Sequence, residues 1–140
     1  WPSFVRNRSE QFEGRTVMVR VEANSSPWLA DMAGSVIPVA VAHGEGRPEF
    51  RDGDLAVLEQ RQQAALRYVD AQHRVASLYP DNPHGAPDGP AGLTAANGRV
   101  LALMPHPERV YRSIQNVWQD PSWGEDGPWL RLFRNARRLF

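Results

Sequence analysis

Residues 93–104 have the sequence Leu-Thr-Ala-Ala-Asn-Gly-Arg-Val-Leu-Ala-Leu-Met, in which two mainly apolar runs flank Asn97 and Gly98. Asn-Gly is the strongest short-range signal for a β-hairpin, because both residues accept the positive φ that a tight turn requires. The stretch therefore predicts two antiparallel strands. The second strand leads directly into a loop that carries an imidazole and a carboxylate.

Apolar runs elsewhere in the chain predict further strands. Residues 16–21 place three valines on one face, and residues 36–42 are almost continuously apolar, as is typical of a strand covered on both faces. Pro38 lies inside the second run and lacks a backbone N–H, which predicts a sheet edge or a bulge. Residues 65–69 and 74–78 flank a polar four-residue turn, so we expect a second hairpin there.

Three short helices are predicted, and the last is the most regular. One begins at Pro27 after a serine cap and ends near Gly34, and another follows Asp54 and continues through Gln62. Residues 129–140 repeat apolar side chains at helical spacing, which predicts an amphipathic helix with a solvated, arginine-bearing opposite face. Strands outnumber helices, so the pattern as a whole predicts a mixed α and β domain.

The composition limits the classes of function. Of the 140 residues, 41% are hydrophobic and 23% charged, and the net charge of +0 gives no overall field that favours nucleic acid or an anionic membrane. No apolar run approaches the length of a membrane span. The absence of cysteine excludes a disulfide framework and, within this chain, a thiol nucleophile. The chain begins at Trp1 without an initiator methionine, and we expect it to be part of a longer polypeptide.

The sharpest group of chemically active residues is the sequence Met-Pro-His-Pro-Glu-Arg at residues 104–109. His106 and Glu108 follow an apolar strand, and prolines on both sides of the histidine stiffen the loop. Such a pair suits a histidine that transfers a proton while a carboxylate orients it, and the two side chains are then expected roughly 2.6–3.2 Å apart. A structural hydrogen bond or a helix cap is the alternative, because no nucleophile accompanies the pair.

Two further loops combine histidine with glycine. The sequence Ala-His-Gly-Glu-Gly-Arg follows an apolar strand, and its His43 and Glu45 could hold a metal or another ligand, with a structural turn as the alternative. Asn82 begins the rigid loop Asn-Pro-His-Gly-Ala, in which the amide of Gly85 could face a small ligand. A metal hydrolase that uses His43, Glu45 and His106 therefore stays open as a function.

The three motifs, in this order and with the sequence Trp-Gly-Glu-Asp-Gly-Pro-Trp at residues 123–129, resemble one family. Nearly the whole chain is similar to the glutaminase domain of phosphoribosylformylglycinamidine synthases, and most of all to the large single-chain form. The resemblance implies a class I, triad-type glutamine amidotransferase with an open, flavodoxin-like α/β sheet and flanking helices. Residues 1–140 are then the C-terminal part of that domain.

The same resemblance implies roles for individual residues. His106 matches the histidine and Glu108 the carboxylate of a Cys-His-Glu triad that takes ammonia from glutamine, and the cysteine lies outside this chain. The family's loop that corresponds to Asn82 and Gly85 lies near the bound glutamine, so we expect these two residues to bind substrate. His84 stands where the family usually has asparagine, and Ala86 stands where it has serine. No metal ligand is expected.

For the intact enzyme, the resemblance implies a cytoplasmic ligase of purine biosynthesis. A separate synthetase domain uses ATP and magnesium to amidate formylglycinamide ribonucleotide, and no cofactor is expected in this chain. The expected partners are glutamine and the remainder of the same enzyme, with no nucleic acid and no membrane. The alternative is a noncatalytic scaffold or docking module of a larger enzyme. This chain alone is expected to be inactive because it has no thiol.

Overall fold

The computed structural model describes residues 1–139, and its main element is a five-stranded antiparallel sheet. The strands in chain order are β1 (Ser3–Arg6), β2 (Glu13–Val21), β3 (Val36–His43), β4 (Glu45–Glu49), β5 (Ala64–Val69), β6 (Pro90–Ala95) and β7 (Val100–Leu103). The sheet has the order β3-β2-β5-β6-β7, and β1 pairs with β4 separately. The helices are α1 (Asp54–Gln60), α2 (Leu130–Arg137) and the 3₁₀ turns Pro27–Leu29, Pro107–Arg109 and Ser113–Gln115.

The expected α/β class is confirmed, in the form of a curled antiparallel sheet with few helices. The hairpin predicted at residues 93–104 is present as β6 and β7, with Ala95 opposite Val100. Asn97 and Gly98 in the turn have φ values of 55° and 80°. These are left-handed conformations that asparagine and glycine adopt more readily than other residues.

The free edge of β3 is covered by the chain that follows β7. The carbonyl of Pro38 accepts a hydrogen bond from the indole Nε1 of Trp129 at 2.7 Å, and the carbonyl of Ala40 accepts one from the N–H of His106 at 2.8 Å. A residue's N–H and C=O point to the same side of a strand, so the N–H that Pro38 lacks would also face this outer edge. The ladder to β2 is therefore intact, and the predicted edge position of Pro38 is confirmed.

The core lies between the sheet and α2. Val19 and Val39 from neighbouring strands are 0% exposed, and Trp129 and Leu132 join the same cluster. Each fully buried aliphatic side chain of this kind contributes about 1.5–3 kcal/mol to the free energy of unfolding. The predicted apolar stripe of the last helix is confirmed over these residues, and its final member, Phe140, lies outside the described residues.

The second predicted hairpin is wrong in its second strand. β5 forms, but residues 74–78 contribute only an isolated bridge, in which Val75 lies opposite Val69. The physical reason is competition, because β2 pairs along one edge of β5 and β6 pairs with residues 64–67 on the other. Only the end of β5 remains for residues 74–78, where the N–H groups of Asp70 and Ala76 donate to the carbonyls of Arg74 and Tyr68 at 2.9 Å.

The helix predicted to begin at Pro27 is shorter than expected. It ends after the single turn Pro27–Leu29, because the N–H of Gly34 donates to the carbonyl of Val21 at 2.8 Å and returns the chain to the sheet. α1 ends two residues before the predicted end at Gln62. Among residues 1–139, no helix is long and apolar enough to cross a membrane.

Candidate active site

His106 and Glu108 lie together in the loop after β7, as the sequence predicted. Nδ1 of His106 is 2.7 Å from Oε1 of Glu108, so the predicted hydrogen bond is present. Pro107 begins the 3₁₀ turn Pro107–Arg109, and this turn carries the carboxylate back toward the imidazole. The fixed φ of proline favours the turn before any tertiary contact forms.

The backbone of His106 is fastened to the edge of the sheet. Its N–H donates to the carbonyl of Ala40, and its own carbonyl accepts from the N–H of Arg109 at 3.1 Å. Pro105 and Pro107 on either side are buried. The loop therefore joins the end of β7 to the outer edge of β3, and these hydrogen bonds hold in place the backbone that carries the imidazole.

The pairing with Glu108 decides which ring nitrogen of His106 is available for chemistry. An ionised carboxylate only accepts hydrogen bonds, so Nδ1 carries the proton and the lone pair of the neutral ring lies on Nε2. The side chain of His106 is 31% exposed, which leaves it accessible to substrate. Nε2 can take up a proton there, and the carboxylate stabilises the imidazolium that results.

His43 is buried close to this pair, at the end of β3. Its Nδ1 lies 2.9 Å from Oδ1 of Asn7, and Nδ2 of Asn7 donates to the carbonyls of His43 and Gln11 at 2.7 and 2.9 Å. These two donations orient the amide, so Nδ1 of His43 donates to Oδ1. Nε2 of His43 therefore carries a lone pair, and among the described residues it has no hydrogen-bond partner. Burial, and then the charge of His106, lowers the pKa of His43 and keeps the ring neutral.

His84 is completely buried in the loop between β5 and β6. Its Nε2 lies 2.9 Å from the carbonyl of Pro90, and its Nδ1 accepts from the N–H of Ala86 at 3.0 Å. The ring packs against the edge of Tyr68 at a centroid distance of 5.0 Å and lies 6.3 Å from the ring of His43. Burial lowers the pKa of His84 to about 4, so this histidine is a neutral structural group.

Because burial lowers the pKa of His84, we predict that the free energy of unfolding decreases in mild acid. In the unfolded chain its pKa is about 6.5, so between about pH 6.5 and pH 4 the unfolded state binds a proton that the folded state does not. The free energy of unfolding is therefore fully retained above about pH 6.5 and falls as the pH approaches 4, by about 3 kcal/mol. Urea unfolding at pH 7, 6 and 5 measures this loss.

A His84→Asn variant separates this effect from general acid unfolding. It should be less stable than the wild type at pH 7, yet lose less of its stability between pH 7 and pH 5. His73→Asn is the matched control, because His73 is exposed and its φ of 61° suits asparagine. If His84→Asn lost as much stability in acid as the control variant, the assignment of His84 as a buried, neutral histidine would be contradicted.

The structure places the two predicted substrate-binding residues in a loop stabilised by its own amides. Asn82 is buried, and its Nδ2 donates to the carbonyls of Ala76 and Ala86 at 3.1 and 2.8 Å. Its Oδ1 accepts from the N–H of Gly85 at 3.0 Å. The side-chain amide of Asn82 and the backbone N–H of Gly85 therefore both have hydrogen-bond partners within the protein. A contact of either residue with glutamine stays a prediction.

The residues proposed for a metal site do not converge. Glu45 is exposed and lies 3.9 Å from Nε of Arg6, while His43 is hydrogen-bonded to Asn7. Within the part of the chain that the structure describes, no group of three or more metal-ligating side chains is present. The described residues therefore give the metal-hydrolase alternative no binding site.

Asn7 is the residue of this region that the sequence analysis missed. Besides the two contacts with His43, its backbone N–H donates to the carbonyl of Gly44 at 3.0 Å, so it closes the turn after β3. His43 and Gly44 are 36 and 37 positions further along the chain than Asn7. No strand was predicted before Asn7, and nothing in the residues around it indicates a partner so far along the chain.

Comparison with known proteins identifies the family of the chain. A family model described as the CobB/CobQ-like glutamine amidotransferase domain matches residues 1–140. The solved structure of PurLQS from Thermotoga maritima is similar with a TM-score of 0.69 and 27% sequence identity, over 99% of this chain and 53% of that one. This chain thus spans about half the length of the solved chain. From the match over its whole length, we conclude that the chain belongs to the CobB/CobQ-like glutamine amidotransferase domain family.

Proposed function

We propose that this chain supplies the proton-transfer half of a glutaminase site in a phosphoribosylformylglycinamidine synthase. The observation that carries the proposal is the hydrogen bond of 2.7 Å between His106 and Glu108, which leaves Nε2 of the imidazole free. Membership of a glutamine amidotransferase family and the similarity to PurLQS support the choice of reaction. The likeness of the motifs to the large single-chain synthases supports the choice of enzyme and its class I, Cys-His-Glu type.

The reaction that fits this geometry proceeds in two steps. Nε2 of His106 first takes the proton of a cysteine thiol outside this chain, and the thiolate attacks the amide carbon of glutamine. The C–N bond then breaks, and Nε2 passes the proton to the departing ammonia. Nε2 then removes a proton from water, whose oxygen displaces the thiolate from the thioester and releases glutamate. Glu108 remains ionised throughout and stabilises the imidazolium in each step.

The later chemistry of the synthase lies outside this chain in our proposal. ATP and magnesium support the amidation of formylglycinamide ribonucleotide in a synthetase domain, and the described residues do not fit a metal site. No step of that amidation is assigned to residues of this chain. The proposed partners are glutamine and the remainder of the same enzyme, in the cytoplasm.

For the loop of Asn82 and Gly85 we propose a positional role in glutamine binding. Asn82 ties the loop together, and the loop in turn places the ring of His84 beside His43. His43 lies near enough to His106 for the charge of His106 to lower the pKa of His43. The loop would thus position the rings of His84 and His43 on the side of the site at which glutamine binds.

A reconstitution experiment tests the proposed function. We expect the chain alone to release no glutamate from glutamine, because it contains no cysteine. Release should appear when the protein also carries the family's cysteine-bearing segment, and it should disappear again when that cysteine is replaced by serine. Glutamate released by the chain alone, above a heat-inactivated control, would contradict the proposal. A stable but inactive assembly with the cysteine present would favour the scaffold alternative.

A further inference from the structure

The segment that follows the candidate active site turns its apolar side chains outward. Residues 112–123, which we call the apolar loop, include Ile114 and Val117, both 82% exposed, and Trp118, which is 55% exposed. In the same loop the polar side chain of Asn116 is buried. Soluble proteins usually bury side chains the other way round, and a group of large exposed apolar side chains marks an interaction site.

Hydrogen bonds hold the apolar loop in this inverted arrangement. Nδ2 of Asn116 donates to the carbonyls of Val110 and Arg112 at 3.2 and 2.9 Å. The N–H of Ser113 donates to the carbonyl of Glu125 at 3.0 Å, which fastens the loop to the segment that precedes α2. The exposure of the apolar side chains is therefore a consequence of an ordered backbone and not of a frayed one.

A groove of about 240 Å³ lies where this part of the chain meets α2. Glu108 lines it, together with the partly buried side chains of Tyr111, Leu130 and Phe133. The rings of Tyr111 and Phe133 meet edge to face, with 6.1 Å between their centres. The carboxylate that orients His106 therefore lies at the margin of an apolar groove, and a side chain that entered the groove would contact Glu108.

The charges at the apolar loop favour a protein as its partner. The loop has one basic and one acidic residue, Arg112 and Asp120. At its margin, Arg112 lies 3.8 Å from Glu125, and both side chains are exposed. An apolar centre with an exposed rim of mixed charge is typical of protein–protein interfaces. A surface for an anionic membrane would carry an excess of basic residues instead.

The proposed function identifies this protein partner. A glutamine amidotransferase domain works within a larger multi-domain or multi-subunit enzyme. Ammonia that escapes into water becomes ammonium, which has no lone pair for amidation, so the domain that consumes ammonia must lie close to His106. The cysteine-bearing segment must reach Nε2, whereas Glu108 and its groove lie on the Nδ1 side of the ring. The apolar surface is thus left for the ammonia-consuming domain.

We propose that the apolar loop and the groove beside Glu108 form the surface on which the ammonia-consuming domain of the same enzyme docks. Ile114, Val117 and Trp118 would be buried in the contact, and an apolar side chain of the partner would fill the groove. The inference rests on the proposed function, because that function supplies the partner. It adds a physical link, since the partner would pack against the carboxylate that orients His106.

A photocrosslink in the intact enzyme tests the contact. Replacing Val117 by p-benzoylphenylalanine should, on irradiation, give a crosslink to the ammonia-consuming domain, because this exposed position faces the proposed contact. Peptide mapping by mass spectrometry identifies the crosslinked segment. The same replacement at Val57, which is 43% exposed on α1, is the matched control and should give no crosslink to that segment.

The crosslinked partner decides between the possible occupants of the surface. A crosslink from position 117 to the cysteine-bearing segment, to a second copy of the enzyme or to no protein would overturn the proposal. An equal yield to the same segment from position 57 would overturn it as well. The mapping does not require activity. If the wild type releases no glutamate from glutamine but the expected crosslink forms, the proposed function fails and the docking surface stands.

The double variant Ile114→Asp, Val117→Asp tests the functional consequence of docking. Both positions are 82% exposed, so the fold should tolerate the change, but two carboxylates in an apolar contact are costly. We expect glutamine-dependent amidation to fall about tenfold or more, while glutamate release and amidation with ammonium salt are retained. Val57→Asp should change none of these rates. An unchanged ratio of amidated product to glutamate in the double variant would contradict the proposal.

Discussion

Replacing His106 by alanine is expected to reduce glutamine-dependent amidation by the intact enzyme about 10²–10⁴-fold, the usual contribution of general acid–base catalysis. The variant loses the group that protonates ammonia and activates water, while the synthetase chemistry is untouched. Amidation supplied with ammonium salt should therefore be retained. Two assays of the same preparation, one with glutamine and one with ammonium, measure the two activities separately.

Glu108→Ala and His73→Ala complete this series. Glu108→Ala should lower the glutamine-dependent rate less than His106→Ala, because the carboxylate acts on the imidazole and not on substrate. His73 is an exposed turn residue, and its loss should change neither activity. Equal loss of both activities in His106→Ala would mean that the residue maintains the fold. Full glutamine-dependent activity in that variant would remove it from the mechanism.

Trp129→Ala is expected to lower the free energy of unfolding by about 3–5 kcal/mol, as truncation of large buried aromatic side chains commonly does. Trp129 is 0% exposed, and its indole N–H donates to the carbonyl of Pro38 at 2.7 Å. The substitution opens a cavity in the core and also leaves that carbonyl at the edge of β3 without its partner. Urea unfolding at neutral pH measures the change.

Trp129→Phe separates the contribution of the ring from that of the indole N–H, and a second variant serves as a control. Trp129→Phe keeps most of the ring but not the N–H, so it should cost less than the alanine variant. Trp118→Ala is the matched control, because Trp118 is 55% exposed and its ring centre lies 5.5 Å from that of Trp123. The free energy of unfolding of Trp118→Ala should fall by less than about 1 kcal/mol. Equal destabilisation by Trp118→Ala and Trp129→Ala would contradict the assignment of Trp129 to the core.

Local sequence signals predicted the hairpin at residues 93–104 and the pair of His106 with Glu108. In both cases the deciding groups lie within a few residues of one another. Asn97 and Gly98 readily adopt the positive φ of the turn, and Pro107 restricts the backbone directly. The edge position of Pro38 was also predictable, because a missing N–H is tolerated only where no ladder bond is required.

The features that could not be predicted from the sequence depend on contacts between residues that are far apart along the chain. Residues 74–78 have the pattern of a strand, but two other strands already pair with β5. Asn7 closes the turn at His43 from 36 residues away. A cavity of about 480 Å³ lined by Arg8, Tyr79 and Gly85 likewise requires two separate segments of the chain to meet. No periodicity or motif in either segment indicates such a meeting, so only the fold could show it.

The central claim is that His106 and Glu108 are two members of a catalytic triad, and a structure of the intact enzyme tests it most directly. Because Nδ1 of His106 is occupied by Glu108, the missing nucleophile must approach Nε2. We expect the sulfur of a cysteine roughly 3–4 Å from Nε2, a hydrogen-bonding distance that is often loose before substrate binds. A cysteine that lies elsewhere, with Nε2 of His106 facing only solvent or aliphatic side chains, would contradict the claim.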